Sequence, residues 1–201
     1  MQSGETVRIR LESPPMEKHS YLRRLPRGNY RGYAIVHWTM AIQDRATGWL
    51  SADFHFRFRE FLTHGLFLRQ CACAVYCLMP DHVHLLMLGF SPSADQLRLI
   101  AYLRKHFNRE LKASRPGYSL QKQPYDHVLK EHEREKGAFQ SVANYSAQNP
   151  VRAGLVEEAS DHPYTDGLVP GYPELSFWME DYWDRFWRAN DYLRKRYDEE
   201  S

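Results

Sequence analysis

A chain of 201 residues, 43% of them hydrophobic and with a mean hydropathy of −0.65, can build one folded core with a short appendage. It has no run of about 18 uncharged apolar residues, so no membrane-spanning helix is expected, and Met1 to Arg10 lacks the apolar stretch of a secretory signal. The net charge of +2 is too small to mark a nucleic-acid protein, so a reading of that kind must rest on where the charge sits.

Residues 1–29 read as a basic arm, with Pro14, Pro15 and Pro26 and the cluster Arg23, Arg24 and Arg27. Gly32 to Ala41 is rich in β-branched and aromatic residues and predicts a strand, Gln43 to Gly48 a turn, and Ala52 to His64 a helix. Cys71 to Met79 is a near-continuous apolar run, as in a central strand buried on both faces. Side-chain alternation places Cys71, Cys73 and Cys77 on one face of that strand, where they are expected as buried, reduced thiols in a cytoplasmic protein. After Met79-Pro80-Asp81 a second strand runs from His82 to Phe90, and so short a link implies an antiparallel hairpin.

A helix is expected from Ser93, with Gln96 completing a capping box. Its apolar residues Leu97, Ile100, Leu103, Phe107 and Leu111 share one side, while Arg98, Lys105, Arg109 and Lys112 form a basic stripe within an arc of about 60°. Residues 115–124 form a loop, Tyr125 to Lys130 a short strand, and Glu135 to Gln148 a helix ended by Pro150. A Pro/Gly-rich link, His162 to Pro173, leads to an aromatic helix over Phe177 to Tyr197. The order predicts an α+β fold: a ferredoxin-like split β-α-β antiparallel sheet with helices on one face and the other open, plus a C-terminal aromatic helical extension. The expected divisions are an arm at 1–29, a domain at 30–160, and a linker and helix at 161–201.

Two features bear chemistry. His82 and His84 stand at i and i+2 of a strand, on one face about 7 Å apart along it, and can converge on one ion. Tyr145 and Asn149 share a helix face. Taken singly, each pair is also what ordinary boundary residues look like.

The segment Met79-Pro80-Asp81-His82-Val83-His84-Leu85-Leu86, followed by Tyr145-Ser146-Ala147-Gln148-Asn149-Pro150-Val151-Arg152-Ala153-Gly154-Leu155-Val156, resembles the REP-associated tyrosine transposases. These are relatives of the small insertion-sequence transposases in the HUH superfamily. Tyr125-Asp126-His127-Val128 is similar to a further segment of that family. Ser146 stands where the family usually has a larger aliphatic, and the N-terminal arm and residues 162–201 match none of its motifs.

The resemblance implies that His82, His84 and Asn149 hold a divalent metal, Mg²⁺ or Mn²⁺, and that Tyr145 is a catalytic nucleophile. It implies an enzyme that nicks and rejoins single-stranded or hairpin DNA through a 5′-phosphotyrosine. Asp81 and His127 are candidate second-layer partners of the ligands. Arg23, Arg24, Arg27, Arg98, Lys105, Arg109 and Lys112 are candidate DNA contacts. Trp178, Tyr182, Trp183, Phe186 and Trp187 suit either stacking on bases or packing. A monomer or homodimer is compatible with this reading. The competing readings are a domesticated, non-catalytic binder of hairpin DNA or RNA, and a small zinc hydrolase.

Overall fold

A computed structural model describes residues 24–199. Strand β1 (Ile35–Ala41) leads through a short 3₁₀ turn to helix α1 (Ala52–Leu68). The hairpin β2 (Cys71–Leu78) and β3 (His82–Gly89) comes next, then α2 (Gln96–Ser114) and β4 (Tyr125–Val128). The chain continues through α3 (Glu131–Glu135), α4 (Ala138–Ala147), the single turn α5 (Asn149–Arg152), β5 (Thr165–Leu168) and α6 (Tyr182–Glu199). The sheet order is β4-β1-β3-β2-β5, antiparallel throughout. The first six elements are the β-α-β-β-α-β core expected from the sequence.

Burial divides the sheet cleanly. Val36, Trp38, Met40, Val83, Leu85 and Met87 face α1 and α2, where Phe58, Leu62, Leu103 and Phe107 complete one apolar layer. Ile35, Leu86 and Leu88 point the other way, toward Phe139, Ala143 and Ala147 of α4 and Tyr182 and Phe186 of α6. The face expected to be open is therefore covered over much of its extent by helices from the C-terminal half.

Several local expectations change. Helix α2 begins later than Ser93 because Asp95, not Ser93, caps it, its carboxylate accepting from the Arg98 amide at 3.0 Å. Gln96 is fully buried and turns inward, accepting from the Trp38 indole and donating to the Ala34 carbonyl, so it completes no capping box. The helix expected over Glu135 to Gln148 is split, because Gly137 adopts a left-handed φ of +79° between α3 and α4. Pro150 acts as expected: α4 ends at Ala147, and the proline sits in the first turn of α5.

The link after residue 161 contains a fifth strand, and β5 pairs with β2. Strand β2 carries a bulge between Cys73 and Val75, and an added residue inverts the side-chain alternation beyond it. Cys71 and Cys73 thus lie in the α1/α2 layer, whereas Cys77 falls opposite His84, on the other face; all three are free and buried. The Tyr182 hydroxyl donates to the carbonyl of Ala74, the residue inside the bulge, at 2.5 Å. Residues of β5 and α6 are therefore built into the sheet and core. Tyr30 is also fully buried, whereas residues 24–29 are exposed, so the chain joins the core at residue 30. Among the described residues no helix is long and apolar enough to cross a membrane.

Candidate active site

The alternation of β3 that buries Val83 and Leu85 under α2 sends His82 and His84 to the opposite face, at the margin of α4. Their Nε2 atoms approach to 3.0 Å, with the rings nearly perpendicular. Each ring is held from behind through Nδ1. That of His82 meets the Asp81 carboxylate at 2.5 Å, and Asp81 also accepts from Arg45 at 3.1 Å. Burial would raise the Asp81 pKa, but hydrogen bonding and electrostatic attraction from His82 and Arg45 outweigh it and hold the carboxyl below its usual value. The Nδ1 of His84 lies 3.1 Å from His37 Nε2 and 3.2 Å from Thr39 Oγ1.

The His84 pKa falls to about 3, first through burial and then through the adjacent imidazoles of His37 and His82. That of His37 falls to about 4, through burial and the facing His127. Both rings are therefore neutral near pH 7.

Tyr145 lies on α4 with its ring edge-on to His84, centroids 5.8 Å apart, and it is 44% exposed. The Arg152 guanidinium sits over its other side, 4.5 Å from the ring centroid. Asn149 starts α5, where its amide nitrogen donates to the Tyr145 carbonyl at 2.9 Å. The helix face predicted for Tyr145 and Asn149 survives the break at Gln148, and it brings the phenol beside the imidazole pair.

The two Nε2 atoms lie 3.0 Å apart with both Nδ1 atoms already engaged, a spacing at which the rings could share a proton or a metal ion. Two nitrogens each about 2.1 Å from one ion at right angles lie about 3 Å apart, so the spacing suits shared coordination. Imidazole favours Mn²⁺ over Mg²⁺. Among the described residues no group of three His, Cys, Asp or Glu side chains is placed to hold a metal ion.

The other expected residues are scattered. His127 lies across β4 from His37 in register and bonds Glu133 at 2.9 Å, one residue removed from the ligand pair. Arg98, Lys105, Arg109 and Lys112 are exposed on α2, on the far side of the sheet from the histidines, with Arg98 and Arg109 paired to Asp95 and Glu110. Arg24 pairs with Asp126 of β4 and lies over Trp38, while Arg27 is exposed. Arg23 lies outside the described residues. The aromatic set of the last helix is engaged in packing: Trp183 and Trp187 stack against Phe139, and Tyr182 and Phe186 are buried.

The sequence reading missed His37 and Thr39. The signal was available, since His37 and Thr39 are two apart on a strand, but only the β1–β3 register reveals that their side chains meet His84.

The fold is an antiparallel α+β sheet that sets a tyrosine beside a histidine pair, and solved and curated proteins share it. A solved REP-associated tyrosine transposase bound to a REP hairpin shares the fold at a TM-score of 0.57 and 18% identity, over 73% of this chain and 81% of that one. A Haemophilus influenzae protein provisionally named a REP-associated tyrosine transposase is 28% identical over 162 residues, covering 70% of this chain and 85% of its own. The chain is thus similar to REP-associated tyrosine transposases in sequence and fold, the resemblance its motifs carry. No family model matches it.

Proposed function

We propose that the protein is a metal-dependent single-stranded DNA endonuclease and strand-transferase that acts on hairpin DNA through a 5′-phosphotyrosine on Tyr145. The observation that carries this reading is the edge-on placement of the Tyr145 ring against His84, whose Nε2 stands 3.0 Å from that of His82. The relatives add support, one of them having been solved on a hairpin.

His82, His84 and Asn149 would hold the divalent ion. When bound, that ion would polarise a non-bridging phosphodiester oxygen and offset the charge that develops there. The chain's own groups do the rest. Asp81 orients His82, and Thr39 with His37 orients His84, so that both Nε2 lone pairs face one point. Tyr145 is open to solvent on one side and can receive a strand. Its phenol gives up a proton, its oxygen forms a bond to phosphorus, and the bond from phosphorus to O3′ breaks, releasing a 3′-hydroxyl. The new ester keeps the bond energy of the phosphodiester, so a 3′-hydroxyl reverses the step without ATP.

The test is a labelled hairpin oligonucleotide with a single-stranded flank, incubated with Mn²⁺ or Mg²⁺ and resolved under denaturing conditions. A covalent protein–DNA band is expected. Binding of the hairpin with no such band under either ion would favour the non-catalytic binder instead.

A further inference from the structure

The outer edge of β4 carries features that this chemistry does not use. Strand β4 pairs with β1 on one side, and among the described residues no strand pairs with its other side. Against that edge lies a cavity of about 330 Å³ lined by Leu25, Tyr125, His127, Lys130 and His132, with the carboxylates of Asp126 and Glu133. Tyr125 is 50% and Leu25 40% exposed, so the cavity keeps an aromatic ring and an aliphatic wall in water.

The lining carries charges of both signs, and the carboxylates have partners. Asp126 accepts from the Tyr30 hydroxyl and the Arg24 guanidinium, and Glu133 accepts from His127 and the Lys130 amide. Lys130 and His132 are exposed, and Lys130 has no ion-pair partner among the described residues. An exposed aromatic ring beside an exposed lysine is the chemistry that meets an unpaired base and its phosphate.

The register ties this cavity to the candidate active site. Tyr125 pairs with Thr39 and His127 with His37, so both project from the face that carries the histidine pair. Thr39 and His37 are the two residues that contact Nδ1 of His84. Two strand spacings of about 4.8 Å separate β4 from β3, a gap that a DNA strand leaving the site crosses within a few nucleotides.

We propose that this cavity is a subsite for an unpaired nucleotide of the single strand flanking the hairpin. The base stacks on Tyr125 and the phosphate meets Lys130. The inference rests on the strand-transferase reading and adds the path of the strand, across β1 toward the β4 edge.

Two probes test it: a hairpin oligonucleotide with a mixed-sequence single-stranded flank containing 2-aminopurine, and the same hairpin without the flank. The wild-type protein is expected to bind the flanked probe more tightly and to quench its fluorescence. Tyr125→Ala is expected to weaken binding of the flanked probe about 5- to 150-fold, from a stacking contribution of about 1–3 kcal/mol per base, and to leave the flankless probe unchanged. Tyr125→Phe should retain binding, and Lys130→Ala should flatten the salt dependence for the flanked probe only.

Equal affinity of the wild type for the two probes, or an equal loss for both in Tyr125→Ala, overturns the subsite. Neither result touches the strand-transferase reading, whose readout is the covalent band. Failure of the wild type to bind either probe overturns both. Melting temperatures are measured alongside, and if the alanine variant melts early, Tyr125→Leu replaces it and is held to the same outcomes.

Discussion

His84 has both ring nitrogens committed, one toward His82 and the other toward Thr39 and His37. Its burial is the reason this matters, because a ring only 5% exposed has almost no water to satisfy a stray donor or acceptor. Replacing Thr39 with valine and His37 with phenylalanine keeps the volume but releases Nδ1. We expect this double variant to need about 10- to 100-fold more Mn²⁺ for half-maximal nicking, measured by metal titration. Unchanged metal dependence would show that the two partners merely pack. Tyr145→Phe removes one oxygen and preserves both the edge contact to His84 and the stack under Arg152. It should yield no covalent adduct while binding hairpin DNA as the wild type does; a variant that still nicks would disprove the assigned nucleophile.

Among the elements, α6 and the bulge of β2 are one device. The extra residue in β2 turns Cys77 toward His84, and Tyr182 of α6 hydrogen-bonds the carbonyl that the bulge displaces. Gly167 lies directly beneath that hydroxyl, where a Cβ would collide with it. Phe186, fully buried, anchors the same helix between Tyr182, Trp183 and Trp187. Phe186→Ala should cost about 3–5 kcal/mol by urea denaturation. Tyr182→Phe, which deprives a buried carbonyl of its donor, should cost about 1–3 kcal/mol. If both were neutral, α6 would be dispensable to the core, contrary to its packing.

Stability of the folded chain should depend on acid in a defined direction. Burial lowers the pKa of His37 and of His55 to about 4, and for His55 the nearby Arg59 adds to the effect. His55, on α1, is bonded to the Tyr76 hydroxyl, on the sheet face opposite the histidine pair. Unfolded histidines titrate near 6.5, so between about pH 6.5 and 4 the unfolded chain binds more protons than the folded one. Stability is therefore full above about pH 6.5 and is lost as pH falls through that window. The urea midpoint should drop from pH 7 to pH 4.5, and His55→Gln should shrink the drop; a midpoint independent of pH would contradict the buried, neutral state of these rings.

Periodicity and short motifs were enough to predict the split sheet, the hairpin and a helix carrying Tyr145, because alternation in strands and the 3.6-residue repeat are local properties of the chain. His82, His84 and Tyr145 could be picked out for the same reason, their motifs being contiguous. Strand β5, four residues containing a glycine, was hidden because its stability comes from pairing with β2 and from packing under Tyr182. His37 and Thr39 became site residues only through antiparallel register, and Cys77 changed face through one inserted residue. The start of α2 was misplaced because Gln96 is buried by Trp38, a partner 58 positions away. Local sequence set which elements form; long-range pairing and burial, which no window of the chain contains, decided what meets across them.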